Sequence, residues 1–241
     1  MSFLTGEWRK LAFANYIIDP KVLAKYVPYG TELDLWNGKC FVSLVGFMFK
    51  NTRLLGVKIP FHVNFEEVNL RFYVKRFENN EWKRGVVFIK EIVPKWALTF
   101  VANTVYKENY QTMKMKYKWL EDENGRTVEY IWEKSGKRNI FQIEASKVSF
   151  DIEPGSETEF ITEHYWGYAE VNDKKSNEYE VKHPKWKAYK INTYKIDTDF
   201  GLVYGKDFAF LNSMQPNSVM LAEGSKITVE YKKTIKTQYV S

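Results

Sequence analysis

Cysteine is almost absent: Cys40 stands alone in 241 residues. A lone thiol makes no internal disulfide, so the chain is no stapled secreted scaffold, and the composition fits a reducing compartment, the cytoplasm. Just ahead of an apolar run, Cys40 reads as a small buried residue and not a nucleophile. Histidine is scarce as well. His62, His164 and His183 are too dispersed for a metal-binding motif, and neither a metal nor a cofactor is expected. No run approaches the ~18 apolar residues of a membrane span, and Glu7, Arg9 and Lys10 interrupt the place where a signal peptide needs its apolar core, so no membrane association is expected. Long basic tracts are missing too. The net charge is +6, but lysines are scattered among glutamates in "KRFENNEWKR" and "YKWLEDENGR", and "YEVKHPKWKAYK" alternates charged with aromatic residues as a solvent-facing strand does. No nucleic-acid partner is expected. Phosphate loops are excluded because "GLVYG" and "AEGS" lack the spacing and the lysine, and the Asp-Phe-Gly of "DFGLVYG" has no other kinase signature beside it.

What is abundant is core material. Hydrophobic residues make up 44% and aromatic residues 17% of the chain, and neither a repeat nor a low-complexity linker divides it, so one domain over residues 1–241 is expected. Strand formers fill 8–18. Asp19 and Pro20 then supply the N-cap and first position of a short helix that stops before Pro28. The turn pair Asn37-Gly38 delivers the chain into the buried strand 40–49. "KRGVVFIKEIV" (83–93) forms a hairpin with the strand before it. Spacings of three and four among Trp96, Phe100, Val101 and Thr104 predict a helix from Pro94 to about Val105. Strands in "QTMKMKYKWL", "RTVEYIWEK" and "NIFQIEASKVSF" follow, then a helix within 156–168 opened by Ser156 and Glu159 in capping-box spacing, then strands near 179–183, 187–197 and 226–231. The class is α+β: a mostly antiparallel curved β-sheet or barrel with a few peripheral helices.

Two stretches carry candidate chemistry. In "FEEVNLRFYV" (65–74) strand alternation puts Val68, Leu70, Phe72 and Val74 on one face and Glu67, Asn69, Arg71 and Tyr73 on the other. That polar row either faces water, or holds a structural Arg–Glu pair, or lines a pocket. In "NTVYKENY" (103–110) Tyr106, Glu108 and Tyr110 share a side if the segment is extended; a tyrosine-rich turn capped by Glu108 is the alternative. If both stretches point inward they make a pocket with Arg71 as charge partner and tyrosines as hydroxyl donors, suited to a small molecule bearing a carboxylate.

The order "DP…L…YVP.GTELD.WNGK…SLVGF", then "NFEEVNLRFYV", "VANTVYKENY", "HPKW" and "LAEGSKITVE", resembles the bacterial proteins called domain of unknown function 2071, the YqjF-like family, over nearly the whole chain. Members are similar in fold to acetoacetate decarboxylase, so the resemblance implies an acetoacetate-decarboxylase-like domain with helices outside and a pocket within. It also raises the decarboxylase reaction, in which a lysine forms a Schiff base and an adjacent lysine lowers its pKa. This sequence departs there: after "FIKEIVP" only the isolated Lys95 and Lys107 occur, while the pairs Lys174-Lys175 and Lys232-Lys233 lie in a polar loop and near the tail. The expectation is therefore an interior pocket for a small anionic organic ligand. The alternatives are a lyase or hydrolase acting on a keto acid through Glu67 or Glu108, and a non-catalytic interaction protein; homo-oligomer formation stays open.

Overall fold

The computed structural model describes residues 2–123 and 125–236; the side chains of Leu98 and of Phe100 and Val101, the latter two part of the helical spacing noted above, lie outside the described set. The chain opens with the long strand β1 (Leu4–Ile17) and the short helix α1 (Pro20–Leu23), where the Asp19 carboxylate accepts from the Lys21 amide at 2.9 Å. After β2 (Glu32–Leu33) come β3 (Phe41–Leu54), β4 (Phe65–Glu78) and β5 (Glu81–Val93), which form an antiparallel meander. Helix α2 (Trp96–Val101) runs into a wide π-helical turn over Ala102–Tyr106, and the short β6 (Tyr110–Thr112) returns alongside β5 in parallel. A second meander follows: β7 (Lys114–Glu121), β8 (Arg126–Lys134) and β9 (Lys137–Asp151).

The helix expected within 156–168 is confined to α3 (Glu157–Thr162), with the Ser156 hydroxyl accepting from the Glu159 amide at 3.2 Å. Trp166 already opens β10 (Trp166–Asn172), which turns into β11 (Lys175–Lys182). Next are β12 (Lys187–Asp197) and a helical pair that the pattern does not announce, α4 (Phe200–Tyr204) and a 3-10 turn over Lys206–Ser213. The Asp-Phe-Gly triplet has a purely local role here: Asp199 caps α4 by accepting from the Leu202 amide. The strand expected at 226–231 is the end of a longer β13 (Ser218–Val229), and β14 (Lys233–Lys236) pairs with β11.

All strands belong to one large curved sheet. Its path runs β14, β11, β10, β5, β4, β3, β1, β13, β12, β9, β8, β7. The curvature is strong enough for β11 to reach β13, pairing Val181 with Val229 and Lys182 with Thr228. Hydrogen-bonded neighbours therefore close a circuit through β1, β3, β4, β5, β10, β11 and β13, while β12, β9, β8 and β7 leave β13 as an arm that folds over the outside. The contact between arm and circuit is tight: a Cβ on Gly46 of β3 would sit 2.6 Å from the Tyr130 ring of β8, and the Tyr130 hydroxyl donates to the Lys10 carbonyl at 2.8 Å.

Every residue of β4 from Phe65 to Val74 is buried. Val68, Leu70, Phe72 and Val74 enter the core between circuit and arm, among Val128, Tyr130, Trp132, Phe141 and Ile143. The alternate positions turn into the circuit, where Leu11, Phe13, Phe47, Phe49 and Phe65 form a second apolar cluster. Among the described residues no helix is long and apolar enough to cross a membrane.

Candidate functional site

A cavity of about 330 Å³ lies inside the circuit, with Leu11, Phe47, Phe49, Phe65, Val86 and Phe88 in its apolar wall. Glu67, Asn69 and Arg71 line it from β4, and Tyr106, Glu108 and Tyr110 line it from the segment after α2. The two candidate stretches thus meet in one place. Tyr73 does not line the cavity. It is buried behind the wall, its hydroxyl 2.8 Å from Ser43 Oγ and its ring against Phe160 and His164.

The 103–110 segment is held there by its asparagines. Asn103 donates to the Tyr110 carbonyl at 2.9 Å and accepts from the Tyr110 amide at 2.7 Å, while Asn109 donates to the Ile89 carbonyl at 2.6 Å. Asn177 of β11 donates to the Tyr106 carbonyl at 3.0 Å. These bonds replace the regular ladder that an irregular segment lacks and set Tyr110 opposite Glu91 in the β5–β6 register.

Glu91 is the acid that strand alternation misses. Val86 and Phe88 face the cavity, so simple alternation sends Lys90 inward and Glu91 outward. A bulge between the Leu70–Lys90 and Arg71–Phe88 pairs shifts the phase. Lys90 then turns away to donate to the Val203 carbonyl, and Glu91 lines the cavity beside Asn69. Tyr179 escapes the pattern for another reason: it arrives from β11, far away in sequence. Its ring lies directly over Gly167 of β10, where a Cβ would stand 2.2 Å from Tyr179 Cζ, so only glycine leaves room for it.

The polar end of the cavity is crowded with acids. Tyr110 donates to Glu67 Oε2 at 3.2 Å, Asn69 donates to Glu67 Oε1 at 2.9 Å, and Tyr179 donates to Glu108 Oε1 at 2.7 Å. Burial pushes the Glu67 carboxyl up to about 7, against hydrogen bonds from Asn69 and Tyr110 and the attraction of Arg71. Burial, assisted by the Glu67 charge and opposed by the Tyr179 hydroxyl, brings Glu108 to about 8. Burial and the charges of Glu108 and Glu67 hold Glu91 well above the ordinary carboxylate range. Near neutral pH Glu67 is therefore close to its midpoint, while Glu108 and Glu91 hold their protons.

Arg71 is 8% exposed and donates to the Ile161 carbonyl at 3.3 Å; its guanidinium carbon lies 5.2 Å from the Phe13 ring centre and 5.6 Å from that of Tyr73. Its Nε has no partner, and among the described residues no carboxylate comes within the 4.0 Å of an ion pair. Nearby, His164 Nε2 is 3.1 Å from Asp34 Oδ2, which also accepts from Arg84 at 2.6 Å. Burial takes His164 down to about 4, so its ring is neutral: Nε2 donates to Asp34 and Nδ1 is a bare acceptor without a partner. His183 is likewise brought down to about 4 by burial and stacks on Trp186 with ring centres 4.2 Å apart. His62, His164 and His183 all line the cavity, but among the described residues no group of three or more His, Cys, Asp or Glu side chains is arranged to hold a metal ion.

The helices do not all lie outside the strand circuit as the resemblance implies: Ala97 of α2, Ala102 of the turn after it and Thr162 of α3 line the cavity, and Phe160 and Ile161 of α3 pack in the inward apolar cluster. Known proteins share the overall fold. The family model for domain of unknown function 2071, described as an uncharacterized conserved protein, matches residues 5–226, and the chain belongs to that family. It is 28% identical over 183 residues to the uncharacterized protein YqjF of Bacillus subtilis, covering 74% of this chain and 72% of that one. In fold it is similar to the enduracididine biosynthesis enzyme MppR with HEPES buffer bound, at a TM-score of 0.71 and 12% identity over 98% of this chain and 89% of that one. It is also similar to acetoacetate decarboxylase from Legionella pneumophila, at a TM-score of 0.67 and 13% identity over 99% and 88% of the two chains. At such identities the likeness is one of fold.

Proposed function

We propose that the cavity binds a small organic carboxylate. The observation that carries this reading is Arg71: a buried guanidinium lining the cavity, with an Nε that has no hydrogen-bond partner, and left unpaired by every described carboxylate. A buried cation without a counter-ion is costly, and a ligand carboxylate repays that cost through charge-assisted hydrogen bonds. The volume of about 330 Å³ suits a molecule of metabolite size.

A catalytic form of the same site acts on a keto acid. The favouring observation is Glu108, whose carboxyl keeps its proton to about pH 8 and can therefore donate to a keto oxygen as negative charge develops there. MppR, similar in fold, is known in a complex with pyruvate. Among the described residues no lysine lines the cavity, so acid–base work by Glu67 or Glu108 replaces amine chemistry in this reading.

Calorimetric titration with pyruvate, acetoacetate and valerate tests the binding. The expected result is saturable binding of at least one of them, weakened about tenfold or more in Arg71→Gln and less in Arg71→Lys, which keeps the charge but not the fork. Equal affinity in wild type and Arg71→Gln removes the reading.

A further inference from the structure

The acid end of the cavity is short of hydrogen-bond donors. Glu67 takes one from Asn69 and one from Tyr110, and Glu108 takes one from Tyr179. Two acceptors are left over: Glu91 Oε2 and Asn69 Oδ1, both without a partner, on side chains only 2% and 1% exposed. These residues stand opposite each other in the β4–β5 register and both line the cavity. The amide oxygen is an observation independent of the acids, since it owes nothing to charge and still lacks a donor. Buried acceptors of this kind call for a donor-rich ligand group.

Arg71 projects from the same strand face as Asn69 and Glu67. At ~3.3 Å per residue its Cα is ~7 Å from that of Asn69 and ~13 Å from that of Glu67. An orphaned donor and a pair of orphaned acceptors therefore sit one strand pleat apart along one wall of the cavity. We propose that the ligand is an amino carboxylate whose two charges are separated by a short carbon chain, with its ammonium on Glu91 Oε2 and Asn69 Oδ1 and its carboxylate on Arg71. The carboxylate end rests on the function proposed above; the ammonium end rests on Glu91 and Asn69 alone. An ammonium brings three donors, enough for both orphaned oxygens and one further acid oxygen, and its charge favours the ionised form of acids that burial otherwise holds protonated. The apolar wall covers the methylene chain between them.

The probes are β-alanine, γ-aminobutyrate, δ-aminovalerate and ε-aminocaproate, each titrated against the full chain beside the plain carboxylate of equal length, with butylamine as the amine lacking a carboxylate. One member of the amino series is expected to bind about tenfold or more tighter than its plain counterpart. Glu91→Gln and, independently, Asn69→Leu are expected to erase that preference while the plain carboxylate still binds. Equal binding of amino and plain ligands across the series overturns the ammonium subsite and leaves the carboxylate reading standing. Binding of butylamine that is lost in Glu91→Gln, with no effect of Arg71→Gln on any probe, upholds the ammonium subsite and overturns the carboxylate end. Wild-type protein that binds none of the probes overturns both.

Discussion

The two faces of β4 share one backbone, one register and nearly one degree of burial, yet they face different worlds. Leu70 and Phe72 are wholly buried against the arm of the sheet, and Glu67 and Asn69 are 1% exposed inside the circuit. On the first face each apolar side chain withdrawn from water contributes about 1.5–3 kcal/mol. On the second, withdrawal from water costs free energy, and the chain limits the cost by keeping carboxyls protonated and by hydrogen bonds from Asn69 and the tyrosines. The difference teaches that burial by itself does not mark a core. The stabilising face supports a face whose polar groups are buried at a cost, and a buried polar row of that kind is what a binding site needs.

The comparison breaks most visibly on its stabilising side. Phe72→Ala empties a fully buried site packed between circuit and arm, and the expected loss of stability is about 3–5 kcal/mol, measured by urea unfolding. A loss below about 1 kcal/mol would mean that the arm does not seal this face, and the contrast between the two faces would collapse.

Much of this contrast is legible in the amino-acid sequence. Alternation alone separates Val68, Leu70, Phe72 and Val74 from Glu67, Asn69, Arg71 and Tyr73, because a strand with period two has no other choice. Capping chemistry at Asp19 and Ser156 locates two helix starts, and both caps are formed. What alternation does not carry is the direction in which the polar row faces, since that depends on β11 meeting β13 at positions distant in sequence. Phase is lost at bulges, which is why Glu91 is hidden behind an apparently inward Lys90. Tyr179 depends on Gly167, a pairing that belongs to the register between β10 and β11. Tyr73 shows the converse: correct parity puts it on the cavity side, and the packing of Phe160 and His164 against its ring then keeps it behind the wall.

The polar face is sharpened by pH. Glu67 is raised from its ordinary value of 4.5 to about 7 in the folded chain, so between those values the folded state holds a proton that the unfolded state has released. Its contribution to stability is therefore fully present below about pH 4.5 and is lost as pH rises through about 7, about 3 kcal/mol in all. Glu67→Gln abolishes that dependence. The variant is expected to lose less stability than wild type between pH 5 and pH 8.5, in urea titrations at fixed ionic strength, and to be the more stable protein at the upper end by up to ~3 kcal/mol. Parallel pH curves for the two proteins would show that Glu67 is already ionised and solvated in the folded state, and the polar face would then be a wet one.

The smallest expected effect is none at all, and it bears on what kind of polar face this is. Schiff-base chemistry needs an amine that is neutral near pH 7, whereas an ordinary lysine with a pKa of ~10.4 is almost wholly protonated. Lys90 is half-buried and its amine is pushed below the ordinary range by burial and by the charge of Lys134, which is the right direction for a nucleophile. The bulge in β5 turns it to the wrong side: its ammonium donates to the Val203 carbonyl on the face away from the cavity. Lys107 belongs to the segment that brings Glu108 to the cavity, but it is exposed and does not line it. The described residues lining the cavity therefore offer acids, tyrosines, histidines and one guanidinium, and no amine. Incubation with acetoacetate followed by borohydride is expected to leave the mass of the protein unchanged, and no acetone is expected to form. A stable adduct on Lys90 would mean that the bulge at Ile89 and Lys90 can slip by one residue, exchanging Lys90 for Glu91 in the cavity, and the acid-lined site would be only one of two registers available to β5.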